Sequence, residues 1–378
     1  MSQGELHEHR GYLADERKVA AYRAALAEVV KPADVVLDLG AGTGMLGYFA
    51  CEAGAKSVIA LERGDIIGLA RRIAADNGHE DRISHVRALS TEARVDTPVD
   101  VVVCDQIGGL VHDAGILTCF ADARRRLLAP GGRLIPAAFR IFLAPVTFDP
   151  GREAVDFWSS KPADLDVSAA RVVAANTEWK YNVGPDDLTA LSPAVELAAF
   201  ASDHDQPIAG SAAFEVHEAG RLDGFVGWFE ARMSPSVTVT NDPWSGERID
   251  RWCNFYPVDE ALDVRRGDRV RLRLDLRPRL GVVSWSADVT GERGDRRRYR
   301  HSTFRGSFLS AETVGTFVRD TPVPRTDRLD VLKAALDLID GSRTQADIVE
   351  ALDDRIGTTF VSSAELEAFV RNVATLAR

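Results

Sequence analysis

Four cysteines in 378 residues, Cys51, Cys104, Cys119 and Cys253, stand without any CxxC pairing. That scarcity excludes a disulfide framework and a thiolate zinc site, so the four are expected as packed thiols and no metal is expected. No apolar run approaches the roughly 20 residues of a membrane-spanning helix. The amino terminus MSQGELHEHR has no apolar signal stretch, and the expectation is a cytoplasmic protein with no membrane partner. Basic residues are also in deficit, 46 against 57 acidic, for a net charge of −11. This disfavours nonspecific nucleic-acid binding and permits cationic partners. What remains, 45% hydrophobic and 27% charged residues, describes a globular protein. The length exceeds one ordinary domain, so two or three are expected.

The run Val35-Val36-Leu37-Asp38-Leu39-Gly40-Ala41-Gly42-Thr43-Gly44 reads as a buried strand entering a glycine turn that opens a helix. A second apolar run, Ser57 to Leu61, ends at Glu62. A carboxylate at the end of the next parallel strand suits the two hydroxyl donors of a nucleoside ribose. The glycines follow GxGxG. In GxGxxG the third glycine lets a helix close on a pyrophosphate, whereas GxGxG after an acidic residue suits a ligand with an amino-acid tail, whose ammonium Asp38 would face. The glycines alone also fit a ligand-free tight turn. Strand, turn, helix, strand and Glu62 together read as a class I S-adenosylmethionine (SAM) methyltransferase core.

The first half alternates helices (Asp15 to Val30, Ile66 to Asn77 ended by Gly78, Ile116 to Leu128) with strands (Ile83 to Ala88, Asp100 to Cys104, and Arg133 to Ile135 after the turn Pro130-Gly131-Gly132). Such alternation implies a mostly parallel doubly wound sheet with its ligand at the strand carboxyl ends. From about Arg140 short strands take over: Ile141 to Val146, Ala194 to Phe200, Ser211 to His217, Gly224 to Met233, Val270 to Leu276 and Val282 to Val289. A β-sandwich or barrel is expected there, interrupted between Phe157 and Gly184 by a surface loop or a protruding dimer contact. After Arg300 the spacing predicts helices over Leu329 to Ile339, ended by Asp340-Gly341, Thr344 to Leu352, and Ala364 to Leu376 with Ser362 and Glu365 as a capping box. Thr358 to Val361 reads as a short strand.

The stretches VVLDLGAGTGMLGYFACEAGAKSVIALE, DNGHEDRISHVRA and LLAPGGRLIPAAFRIFLAPV resemble the catalytic core of protein arginine methyltransferases. LDGFVGWFEARM and VRRGDRVRLRLDLRP are similar to that family's barrel strands, and DRWCNFY lies where it carries Thr-His-Trp. The resemblance spans roughly residues 7 to 300. It implies an α/β chain: a Rossmann-like SAM-binding domain (1–138), a β-barrel substrate domain (139–305) with a dimerisation arm at about 157–184, and, beyond it, a small mainly helical module (306–378). A homodimer is implied too. By family alignment the cofactor contacts are Asp38, Gly40, Gly42 and Gly44 at the methionine-side turn, Glu62 on the ribose, Lys18 in place of the arginine that pairs with the SAM carboxylate, and Ser90 and Thr91 at the adenine, Thr91 replacing a Glu. Lys18 reads equally as a solvated helix residue.

The family's two catalytic glutamates are not both kept. In the loop Cys104 to Ala114, Asp105 takes the first position, Ala114 aligns with the second, and Asp113 sits one residue early. The Thr-His-Trp counterpart is Asp250-Arg251-Trp252, and Tyr12 is the only aromatic ahead of the first expected helix. A guanidinium is best gripped by two carboxylates accepting paired hydrogen bonds; one Asp with Gln106 and an added Arg251 makes a less anionic pocket. A side-chain amide, hydroxyl or carboxylate fits better as acceptor. Gln106 could hydrogen-bond an amide, and Asp105, His112 or Asp113 could take the departing proton; the alternative reading of each is a residue that caps or orders the loop. The string LKAALDLIDGSRTQADIVEALDDRIG resembles small winged-helix peptide-binding domains related to the pyrroloquinoline-quinone biosynthesis chaperone. That implies leader-peptide recognition and a ribosomally made natural-product precursor as substrate. The readings carried forward are a SAM-dependent methyltransferase (product S-adenosylhomocysteine) acting on a non-arginine side chain of a peptide or protein, an authentic arginine methyltransferase, and a non-catalytic SAM- or peptide-binding scaffold.

Overall fold

Strand-forming runs rich in valine and isoleucine, separated by glycine turns and helices, dictate the first half. In the computed structural model, which describes residues 3–291, 294–307, 327–340, 342–356, 366, 369–371 and 373, five strands form a parallel sheet: β1 (Val35–Leu39), β2 (Ser57–Glu62), β3 (Ile83–Arg87), β4 (Val99–Cys104) and β5 (Leu128–Ile135), in the order β3-β2-β1-β4-β5. Leu37 pairs with Ile59 on one side and Val102 on the other. A central parallel strand is covered on both faces, which is why β1 reads as an almost unbroken apolar run. The chain reverses its winding between β1 and β4, so a crevice opens at their carboxyl ends.

Five helices flank this sheet: α1 (Gln3–Ala14), α2 (Glu16–Val29), α3 (Met45–Glu52), α4 (Ile67–Asp76) and α5 (Ile116–Arg126). Asp15 caps α2 by accepting from the Lys18 backbone N–H at 3.1 Å, satisfying a donor the helix leaves open. The helix expected to reach Leu128 stops at Arg126, because Leu128 is already paired with Val99 in the sheet. Strand β5 accordingly starts before the Pro130-Gly131-Gly132 turn rather than after it. Helix α1 is a finding the sequence did not announce: it has no apolar stripe to betray it.

The second half is antiparallel. Strands β6 (Ala138–Thr147), β7 (Trp179–Tyr181), β8 (Thr189–Ala190), β11 (Gly220–Arg232) and β13 (Cys253–Val264) make one sheet in the order β7-β13-β11-β6-β8, with β9 (Val195–Ala201) on β6 and β12 (Thr238–Thr240) on β11. Strands β10 (Ile208–Glu215), β14 (Arg269–Arg277), β15 (Val282–Thr290) and β16 (Arg296–Ser302) make the other, in the order β10-β14-β15-β16. Phe225, Phe229, Tyr256, Leu272, Leu274 and Trp285 are buried between them in a core continuous with that of the first half. Trp285 satisfies its one donor on the Pro257 carbonyl at 2.8 Å. β13 and β16 extend the set of strands expected. Between β6 and β7 the chain makes α6 (Asp149–Asp156), short helical turns and α7 (Arg171–Ala175), with Phe157, Leu165 and Val172 exposed.

The carboxyl-terminal segment has its own core. Helices α8 (Asp327–Leu338) and α9 (Gln345–Ile356) and residues Leu366, Phe369, Val370 and Val373 bury one another, with Leu280 and Phe304 packed alongside. Thr344 and Asp347 cap α9 reciprocally: the Thr344 N–H donates to the carboxylate at 2.8 Å and the Asp347 N–H to the hydroxyl at 3.2 Å. The expected strand Thr358 to Val361, Gly341 and the Ser362–Glu365 cap lie outside the described residues. Among the described residues no helix is long and apolar enough to cross a membrane.

Leu37, 1% exposed at the centre of the parallel sheet, gives a test of this core. Leu37→Ala is expected to cost about 2–5 kcal/mol through the cavity it leaves, measured by chemical denaturation. A loss under about 1 kcal/mol would mean the site is not packed as described.

Candidate active site

The GxGxG turn is built from backbone that only glycine adopts readily: Gly40, Gly42 and Gly44 have φ of +70°, +53° and +85°. The N–H groups of Gly40 and Ala41 both donate to the Leu61 carbonyl, at 2.8 and 3.0 Å, tying the turn to the end of β2. Beside it lies a crevice of about 230 Å³ whose lining includes Gly40, Glu62, Ser90, Gln106 and Ala114. Glu62 is held ready: one carboxylate oxygen accepts from Gly42 N–H at 3.2 Å and the other from Gly64 N–H at 2.7 Å. Each oxygen keeps acceptor capacity for a ligand hydroxyl.

Asp38 lies fully buried under the turn. One oxygen accepts from Gly47 N–H at 2.9 Å, while Oδ1 has no partner among the described residues. Burial pushes this carboxyl up to about 7, against the Gly47 hydrogen bond that lowers it. A buried carboxylate with a spare oxygen fits an ammonium donor. Ser90 is at the crevice with its hydroxyl 3.5 Å from the Cys119 sulfur, whereas Thr91 is exposed and outside the lining. The Gln106 amide lies against Gly40, where a Cβ would come within 2.5 Å of Nε2. His9, which sequence reasoning did not single out, lies over Gly42 in the same way, its ring 2.4 Å from where a Cβ would stand. No local pattern marks His9; only the placement of α1 does.

The acceptor side is organised around Asp105, just beyond β4. Its carboxylate takes Lys18 Nζ at 2.8 Å and Arg251 Nη2 at 2.8 Å, both cations buried, and the Tyr22 hydroxyl, which donates at 3.2 Å to Asp105 and at 2.8 Å to the Cys104 carbonyl. Lys18, expected on a ligand carboxylate, is thus engaged with Asp105 in this structure. Burial pushes the Lys18 ammonium below its usual range, more than the attraction of Asp105 restores. For Arg251 burial acts the same way, but the Asp105 charge and hydrogen bond together with Tyr22 and Tyr12 outweigh it and raise the guanidinium. Tyr12 of α1 covers the cluster, its ring 4.3 Å from Lys18 Nζ and 5.8 Å from the Arg251 guanidinium.

The other two candidate bases of the loop are turned elsewhere. Asp113 accepts from the N–H groups of Gly109 and Leu110 at 3.0 and 3.3 Å and pairs with Lys180 at 2.6 Å. Burial raises its carboxyl, but His112, Lys180 and the backbone hold it below the usual range. His112 Nε2 lies 3.2 Å from both oxygens of Glu178, a residue that precedes β7. Glu178 also accepts from Asn254 Nδ2 at 2.6 Å and the Tyr256 hydroxyl at 2.5 Å. These three partners were not legible in the sequence, since they lie far along the chain from the loop they meet. Among the described residues no group of three or more His, Cys, Asp or Glu side chains is placed to hold a metal ion.

With this geometry in hand, comparison with known proteins finds the following. Residues 23–137 match the family model described as ribosomal protein L11 methyltransferase (PrmA). The chain is 28% identical to protein arginine N-methyltransferase 6 of Xenopus tropicalis, over 71% of this chain and 83% of that protein. It is 27% identical to the arginine N(omega)-methyltransferase of Streptomyces achromogenes subsp. streptozoticus, over 70% of this chain and 75% of the relative. Its fold matches Arabidopsis thaliana protein arginine methyltransferase 10 with a TM-score of 0.69 at 17% identity, covering 79% of this chain and 98% of that one. The Trypanosoma brucei PRMT1 enzyme–prozyme complex, solved with S-adenosylhomocysteine, matches with a TM-score of 0.65 at 21% identity, covering 78% and 97%.

Asp38 yields a pH test. Its folded carboxyl titrates near about 7, above the unfolded value of about 3.9, so the folded state binds the proton more tightly. The resulting stability is present at acid pH and lost as pH rises from about 4 through about 7. Asp38→Asn is expected to lack this decline when denaturation midpoints at about pH 5 and about pH 8 are compared. Parallel pH dependences in the two proteins would show that Asp38 is not buried as described.

Proposed function

Because the chain is a class I S-adenosylmethionine-dependent methyltransferase of the protein arginine methyltransferase family, we propose that it methylates a side chain other than arginine, in a peptide or protein. The observation that carries this reading is the pairing of the acidic loop. Asp105 is taken by Lys18 and Arg251, Asp113 by Lys180, and Glu178 by His112, while Ala114 lines the crevice where the family resemblance places the second carboxylate. A guanidinium arriving at Asp105 would have to displace two buried cations. Breaking a buried pair by removing a partner costs on the order of 3–5 kcal/mol, so a cationic acceptor is disfavoured against an uncharged one. Arg251 supplies internally the guanidinium that this carboxylate would otherwise take from outside.

SAM supplies the methyl group on a sulfonium that is already a good leaving group. This chain's residues have to bind, align and exclude water. Glu62 suits the ribose hydroxyls and Asp38 the ammonium. Lys18, buried on Asp105 in this structure, is the residue that the family resemblance assigns to the ligand carboxylate. Gln106, at the crevice, offers a carboxamide that can pair with an acceptor amide. The carboxyl-terminal helical module, with its separate core, is the element we assign to peptide recognition, a ribosomally made natural-product precursor being the substrate type it suits. Homodimerisation through an arm at about 157–184 belongs to the same reading, supported by its exposed Phe157, Leu165 and Val172.

The relatives named above are arginine methyltransferases, and Asp105 retains an acidic side chain; methylation of arginine is therefore the second reading. Incubation with SAM and peptides bearing Asn, Gln, Asp, Ser or Arg, followed by S-adenosylhomocysteine assay and mass localisation, separates the two. The methyl is expected on an uncharged side chain, with turnover lost in Glu62→Ala. A methyl on a guanidine nitrogen would establish the second reading instead. No turnover with any peptide would leave a binding scaffold.

Arg251 gives an independent test. Arg251→Ala frees one side of Asp105 and is expected to raise the affinity of an arginine-bearing peptide by about tenfold, comparable to one charged hydrogen bond gained. Unchanged affinity by calorimetry would mean Arg251 does not set the preference.

A further inference from the structure

One buried cluster does not line the crevice: His112, Glu178, Asn254 and Tyr256. It lies behind the loop that carries Asp105 and Gln106, and the loop is under strain there. Val111, buried and β-branched, has φ +69°, and its turn is closed by the His112 N–H on the Leu110 carbonyl at 2.8 Å. A β-branched residue in the left-handed region persists only where its surroundings over-determine it. Those surroundings are the next residue's ion pair. His112 Nδ1 reaches the Leu110 carbonyl at 3.1 Å and Nε2 reaches Glu178, so the imidazole bridges the strained turn to the second half of the protein. Gly109 is pressed against that half as well, with a Cβ there only 2.1 Å from Asn254 Oδ1 and 2.5 Å from Trp252 Cδ1.

We propose that Glu178 is a positioning residue for the methyl transfer, holding loop 105–114 in its strained form through His112 so that Gln106 stands at the crevice and Asp105 faces Lys18 and Arg251. The proposal rests on the reading of the crevice given above and adds a residue that touches neither cofactor nor acceptor. The groups facing His112 are Glu178 from the approach to β7, Asn254 and Tyr256 of β13 bound to that same carboxylate, and, from its own loop, Asp113 with its partner Lys180 and the Leu110 carbonyl. Burial is the largest single influence and works against a charged imidazole, but the Glu178 charge and hydrogen bond, the Asp113 charge and the Leu110 carbonyl together outweigh it and raise His112 to about 9. The clamp is therefore complete below about 6.5, the unfolded value, and is lost as pH rises through about 9.

Glu178→Gln keeps the size of the side chain and removes its charge, and with it the largest of the attractions that hold the imidazole charged; Glu178→Asp keeps the charge. Hydrogen exchange of loop 105–114 in the full chain with S-adenosylhomocysteine bound, at neutral pH, reads the clamp directly. In Glu178→Gln the loop amides are expected to exchange at least about tenfold faster, with β1 and β2 amides unchanged and S-adenosylhomocysteine affinity kept within about twofold. Glu178→Asp is expected to restore protection. With the active peptide of the panel, kcat is expected to fall about tenfold to a hundredfold in Glu178→Gln with KM for SAM held, and the wild-type rate to decline through about pH 9. Wild-type loop protection and kcat in Glu178→Gln would overturn the proposal. If the wild type turns over no peptide, the functional reading fails, and the exchange comparison still decides whether Glu178 holds the loop.

Discussion

Asp105 is the carboxylate on which the buried charges of the two halves of this protein converge. Asp105 leaves the parallel sheet at the end of β4 and meets Lys18 and Tyr22 from α2 and Arg251 from the segment ahead of β13. Two buried cations against one anion leave a net positive charge in a low-dielectric setting, a condition that favours an additional negative group nearby. The carboxylate of a bound amino-acid tail is such a group.

Helix α2 is the strut on which this arrangement hangs. Near its far end Glu28 accepts from the Ser234 and Ser236 hydroxyls of the turn after β11, and in its middle Tyr22 reaches the Cys104 carbonyl. A helix pinned at both ends and in the middle has little freedom to tilt, so the distance between glycine turn and acceptor loop is set by the fold. Positioning of this kind matters for a reaction whose chemistry lies mostly in its leaving group.

Much of the first half was legible because its signals are local. Asp38, the three glycines and Glu62 follow one another along a strand, a turn and a strand, and the parallel sheet brings their ends together by topology alone. The character of the second half was legible too, as alternating short strands, although β13 was missed: its first half, Cys253 to Val258, is buried on both faces, while the second half mixes acidic residues with Ala261, Leu262 and the buried Val264. The loop chemistry was not legible. That Asp105 meets Lys18 and Arg251, or that His112 meets Glu178, depends on residues far apart in sequence, and no periodicity encodes such pairs. His112 and Asp113 drew attention as titratable groups near Asp105; the structure gives both to partners outside the crevice. The helix end at Leu128 was overridden by strand pairing with Val99, a tertiary demand on a residue with good helix propensity.

Asp15 uses its two carboxylate oxygens in different directions. One caps α2 at the Lys18 backbone N–H, and the other accepts from the Asp250 N–H at 2.8 Å, immediately before Arg251. The amino-terminal helix that carries His9 and Tyr12 ends at Ala14, the residue before Asp15. Swinging that helix away from the glycine turn therefore pulls on a lever whose other arm is Arg251. A ligand that displaced His9 from the glycine turn would act, through that one aspartate, on the backbone that presents the guanidinium to Asp105.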